Sequence, residues 1–231
     1  MPTGTFVLFD ILRFPESRRR PLRTEARRPR GGVDEMADPI FTEFSFGRGA
    51  PQGGFQVGRI THRQAVHVEG FWHGTPITEL VQESKFDAYY RLDEKILIAH
   101  CRKEVALSAV RALNGGFGEV LELRPVEVDF ARIIPRAITV IGSWFKGMSY
   151  SNIRSEAAFG NQINRDPEFA RMCALGKHTN LIVVISHGAD TLKVNLSRDG
   201  SAYFMDNTPT QTCLEFVALL TQYRVAGAQA A

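Results

Sequence analysis

Leu181 to Ile185 is an unbroken apolar run, and Leu192, Val194 and Leu196 then alternate with Lys193, Asn195 and Ser197. The first pattern predicts a strand buried on both faces, the second a strand with one wet face. His187-Gly188-Ala189-Asp190 supplies the turn between them. Arg198-Asp199-Gly200-Ser201 carries an Asp-Gly pair, a strong hairpin signal, and Ala202 to Met205 is the returning strand. A helix is expected from Asn207-Thr208-Pro209-Thr210-Gln211, with Thr208 as its cap and Pro209 at its first position. Cys213, Leu214, Phe216, Val217, Leu219 and Leu220 leave that helix little polar face, so it is expected to be buried.

A similar pattern occurs earlier. Placing Asp93 over Asp199 (199 − 93 = 106) aligns Asp87–Leu92, a turn at Asp93-Glu94-Lys95, Ile96–His100 and a helix from Lys103 to Leu113. That helix presents Ala106, Ala109, Val110 and Leu113 on one face, and Asn114-Gly115-Gly116 is expected to end it. Residues 65–118 and 177–225 thus read as possible pseudo-repeat halves, strand-turn-strand-helix in each.

The rest of the chain adds strands at Ile40–Phe46, Phe55–Ile60, Ala65–Trp72, Val120–Phe130 (interrupted by Pro125) and Ala137–Phe145. Short helices are expected from Thr75 to about Glu83 and over Asn152–Phe159. Asp166-Pro167-Glu168 opens another, with Asp166 as cap and Pro167 at the first position. Gly47 to Gly54 reads as a flexible loop; no Gly-Lys-Ser/Thr follows it, so it does not read as a phosphate cradle. Strictly alternating β-α units are absent. The fold class expected is α+β, a largely antiparallel sheet with helices packed on one face.

Composition changes the picture mainly at the start. Hydrophobic residues make up 44% of 231, ample for a core. The net charge is +3, and residues 1–35 alone carry eight arginines against five acids. That leaves 20 basic (28 less 8) and 20 acidic (25 less 5) residues in 36–231. The body therefore has no overall bias toward phosphate. The Arg/Pro-rich run from Arg18 to Arg30 has no periodicity. Residues 1–35 are expected to be a disordered, dispensable extension before a single α+β domain at 36–231. No apolar run is long enough to span a membrane, and Cys101, Cys173 and Cys213 lack metal or redox spacing. They read as reduced core thiols of a cytoplasmic protein.

Candidate chemistry is sparse. His67, Glu69 and His73 share strand parity and are weak metal candidates, set against ordinary surface residues. His100 and Asp206 end the two hairpins at matching positions, a weak base-and-orienter pair for a hydrolase. Asn161, Gln162, Asn164 and Arg165 form a dense polar run suited to binding, or simply a solvated loop. Trp144, Phe145, Lys146 and Tyr150, with Met148, gather aromatics at a strand end, suited to a protein contact or to core. No cofactor is expected. The leading expectation is a non-enzymatic binding or assembly module contacting another protein or itself. The alternatives are nucleic-acid binding on an open sheet face through Arg59, Arg63, Lys146, Arg154 and Arg165, and a hydrolase centred on His100 and Asp206.

Overall fold

The computed structural model describes residues 4–25, 39–47, 51–72, 75–148 and 154–225, without the side chains of 72 and 75–79. Its sheet pairing is mostly antiparallel, and with four α-helices among the described residues the class is α+β. The chain divides into two compact units, residues 10–124 and residues 1–9 with 125–231.

The boundary falls inside β1 (Thr5–Arg13). Phe6, Val7, Leu8, Phe9 and Ile11 of this strand are all buried. The expectation of a disordered segment over residues 1–35 therefore fails at Thr5–Arg13. The local run Phe6-Val7-Leu8-Phe9 is a doubly buried strand, and the arginine-rich composition of the residues after it obscured that. Residues 26–38 lie outside the described set.

In the 10–124 unit, β2 (Leu22–Arg23), β3 (Thr42–Ser45), β4 (Gln56–Trp72), β5 (Thr75–Arg91), β6 (Ile96–His100) and the end of β1 follow one another across the sheet. Helix α1 spans Lys103–Phe117, and β7 (Glu122–Pro125) also pairs with β1. Ala106, Ala109, Val110 and Leu113 of α1 are buried, as their spacing predicts. The helix does not end at Asn114: it runs on to Phe117. The Asn114 carboxamide instead clamps β7, donating to the Leu123 carbonyl oxygen (2.7 Å) and accepting from the Leu123 amide (3.0 Å).

The helix expected from Thr75 to Glu83 is part of β5. Its alternation, with β-branched Thr75, Ile77, Thr78 and Val81, suits a strand, and pairing with β4 decides it (Val66 opposite Leu80, His62 opposite Ser84). β3 reaches β4 only over Arg59–His62, and β6 reaches β5 only over Ala88–Arg91. Among the described residues, 64–72 and 75–82 are paired only with each other, as a two-stranded ribbon.

The other unit places the start of β1 beside β12 (Ser201–Phe204), then β11 (Asp190–Ser197), β10 (Lys177–His187), β8 (Ala137–Lys146) and β9 (Ser155–Phe159). The expected hairpin at Asp199-Gly200 is present, and Gly200 takes the positive φ of 77° that its turn requires. Leu192, Val194 and Leu196 are buried. Leu181, Val183 and Ile185 are buried too, but Ile182 and Val184 are only half-buried, so β10 is wet on one face. Residues 155–159, expected to be helical, form the edge strand β9, because β8 supplies a ladder from Gly142 to Lys146.

Three helices belong to this unit: α2 (Phe130–Ile133), α3 (Pro167–Leu175) and α4 (Thr210–Leu219). Asp166 caps α3 through the Glu168 amide (2.8 Å), with Pro167 next, as the sequence predicts. The cap expected from Thr208 is absent. Pro209 occupies the N-cap of α4, and the Thr208 hydroxyl donates to the Asp206 carbonyl oxygen instead (3.4 Å). Shifting α1 by the offset of 106 carries it onto 209–223, the span of α4 and its 3-10 continuation to Tyr223. No helix of the described residues is long and apolar enough to cross a membrane. Cys213 is buried, Cys101 half-buried and Cys173 exposed, so the expected core role fits only Cys213 well.

Candidate functional site

The sequence-selected residues fall into distinct settings. His67 and Glu69 are exposed beside a register shift in β4, and His73 lies outside the described residues. No metal-binding cluster of His, Cys, Asp and Glu occurs among the described residues. His100, half-buried, belongs to the 10–124 unit, and its pKa is lowered by burial against the opposing charge of Asp87. Asp206, exposed, belongs to the other. The polar run at 161–165 folds back on β8. Thr139 Oγ1 donates to Asn161 Oδ1 (3.1 Å) and accepts from the Gln162 amide (3.0 Å), while Asn164 Oδ1 is buried without a partner. Arg165 is exposed. Of the nucleic-acid candidates, Arg59 is bonded to Asp87 (2.9 Å) and Arg63 to Glu83 (2.6 Å).

The aromatic segment splits by strand parity. Phe145 is fully buried, meeting Phe169 of α3, and Met148 is buried as well. Those two residues are core, not contact surface. Trp144 and Lys146 point the other way. Trp144 is half-buried, its ring edge-on to Phe159 at 4.9 Å, and Lys146 is exposed. Tyr150 lies outside the described residues.

Register places a cross-strand row on that same face: Tyr203, Asn195, Ile182, Gly142 and Phe159 stand opposite one another in turn. A Cβ at Gly142 would lie 3.0 Å from the Phe159 ring and 3.2 Å from Ile182 Cδ1, so the two side chains close over the glycine. The row still leaves Phe159 62% and Tyr203 38% exposed. One row along, Trp144 faces Asn180. A cavity of about 310 Å³ opens here, lined by Trp144, Lys146, Ser155, Thr179, Asn180 and Asn195. Asn195 Oδ1 is buried beside it with no hydrogen-bond partner. An orphaned carboxamide oxygen is costly to bury.

Two histidine centres escape sequence reading, because their partners come from distant positions. In the 10–124 unit, buried His62 lies 2.8 Å from Thr42 Oγ1 through Nδ1, and Nε2 lies 3.0 Å from Ser108 Oγ and 3.2 Å from Gln64 Oε1. Burial lowers its pKa, with the Gln64 bond opposing. Both ring nitrogens are occupied, so this imidazole ties β3 and β4 to α1 and is not a free base or ligand. It faces a larger cavity, about 840 Å³, whose walls include Arg23, Glu25, Arg63 and Gly116. In the other unit, Ser143 pairs with His178 Nε2, but Ser143 has 0% exposure, so no substrate reaches the pair. Comparison with known proteins yields no matching family model and no matching curated relative.

Proposed function

We propose that this chain is a non-enzymatic binding and assembly module that contacts another protein or a second copy of itself through the sheet face bearing Trp144, Ile182 and Phe159. The observation that carries the reading is the row from Tyr203 to Phe159, which crosses five strands with Ile182 at its centre and leaves a large aromatic ring wet at each end. Phe159 makes no core contribution that would explain a phenylalanine at an edge strand, and burying it would release about 2 kcal/mol of apolar surface energy. The helix contacts at Phe145 and Phe204 lie on the opposite side of the same strands, which supports a sheet with helices on one face and an open face for binding.

Two measurements on the full chain test it. Sedimentation across a wide concentration range reads self-association, and Phe159→Asp should abolish any gain in mass. A photo-crosslinking residue at 159 should give an adduct in cell extract that the same residue at exposed position 222 does not give. A monomer at every concentration, together with no 159-specific adduct, would overturn the reading.

A further inference from the structure

The rim of the Trp144 cavity is positively charged without compensation. Lys146 and Lys177 stand directly opposite one another in the β8–β10 ladder, and both are exposed. Like charges directly opposite destabilise a sheet. Exposed Arg154 adjoins them, its carbonyl oxygen accepting from the Gly147 amide (2.9 Å). No ion pair of the described residues engages these three cations, and the sequence from Ser143 to Ser155 contains no acid. By contrast, Arg171 is held by Glu168 and Glu156, and Arg198 by Glu127. Lys146 and Lys177 therefore sit on the face that also carries the apolar row and the cavity, while Arg154, opposite Gly147, has the parity of Phe145 and Glu156.

We infer that this face docks an acidic, apolar peptide segment of a partner protein, with carboxylates at Lys146 and Lys177 and an apolar side chain beside Trp144. This rests on the binding reading above and adds the chemistry of the partner. The cavity of about 310 Å³ matches one large side chain. Residues 36–231 carry equal numbers of acids and bases, which gives no long-range field of the kind that gathers a nucleic-acid strand. A local cationic rim on an apolar floor is complementary to alternating acidic and apolar side chains, and such charge matching sets orientation and on-rate.

The test selects a random twelve-residue peptide library on the immobilised full chain, with counter-selection on the Lys146→Glu/Lys177→Glu variant. The expected result is enrichment of peptides with Asp or Glu beside Leu, Phe or Trp. Their affinity should fall at least tenfold in the double variant and in Trp144→Ala, and should weaken with salt. The double variant exchanges one like-charge pair for another, so its melting temperature should stay close to that of the native chain; a variant that unfolds is replaced by Lys146→Gln. Selected peptides that lack acids but lose binding with Phe159→Asp would overturn the acidic inference and leave the binding reading intact. No enrichment over the counter-selection would overturn it outright. Binding of a labelled single-stranded DNA that the double variant abolishes, with no peptide enrichment, would replace it with the nucleic-acid alternative.

Discussion

Ser143 Oγ and His178 Nε2 form a hydrogen-bonded pair enclosed by three phenyl rings. Phe145 stacks on the imidazole at 4.6 Å, while Phe130 (4.8 Å) and Phe169 (6.0 Å) meet it edge-on. Ser143 also donates to the Asn180 carbonyl oxygen (3.3 Å). The pair joins β8 to β10 at the point where their register shifts.

Acid should break this joint. Burial, reinforced by the Arg198 charge and opposed by a backbone bond at Asn180, lowers the His178 pKa from 6.5 to about 4. The unfolded chain takes up its proton near pH 6.5, the folded chain only near pH 4. The stabilisation is therefore complete above pH 6.5 and is lost as pH falls toward 4. For a half-buried ring the loss is roughly 2 kcal/mol. Urea midpoints at pH 7 and pH 4.5 should differ by that much more for the native chain than for His178→Phe/Ser143→Ala. Equal slopes would remove the histidine from the acid response.

Gly200→Val should cost about 3 kcal/mol, more than a strained turn alone. Besides its positive φ of 77°, a Cβ there would lie 2.7 Å from the Val126 carbonyl oxygen, a backbone atom that cannot swing aside. A denaturant titration that leaves the midpoint unchanged would contradict that close approach.

That hairpin shows what local chemistry reveals. Asp199-Gly200, the buried face of α1 and the Asp166 cap were legible because each depends on residues within one turn or one helical face. The β5 strand was not, since Thr75-Pro76-Ile77-Thr78-Glu79 also fits a helix start and only the partner β4 decides. The division of Trp144–Met148 into a wet and a buried side follows from parity, but which side is covered depends on α3, some 20 residues further on. His62 and His178 were invisible as centres for the same reason: Ser108 and Ser143 approach them only through the fold.

A chain starting at Met36 should fail to give a cooperative melting transition. It would lack Phe6, Val7, Leu8, Phe9 and Ile11, all buried, and losing even two such side chains costs about 4 kcal/mol or more. A sharp transition within a few degrees of the full chain would show that β1 is dispensable after all.

Shortening the β4–β5 ribbon should be tolerated. Gln64 and Gln82 stand opposite one another, so an Asn-Gly turn can join them in place of residues 65–81. Because a two-stranded ribbon is marginal in water, calorimetry should show a change below about 1 kcal/mol. A larger loss would mean that the outer ribbon supports the fold.

The unit boundary inside β1 sets an order of events during synthesis. Residues 10–124 are contiguous and can close as soon as they emerge. Phe6 to Phe9 belong to the other unit, where Phe6 stands opposite Ala202, a separation of 196 residues (202 − 6). Until β12 is made, Phe6, Val7, Leu8 and Phe9 lack the partner strand that flanks them there. The nascent chain therefore carries an adhesive segment until β12 emerges, and that interval is when it is open to misassociation.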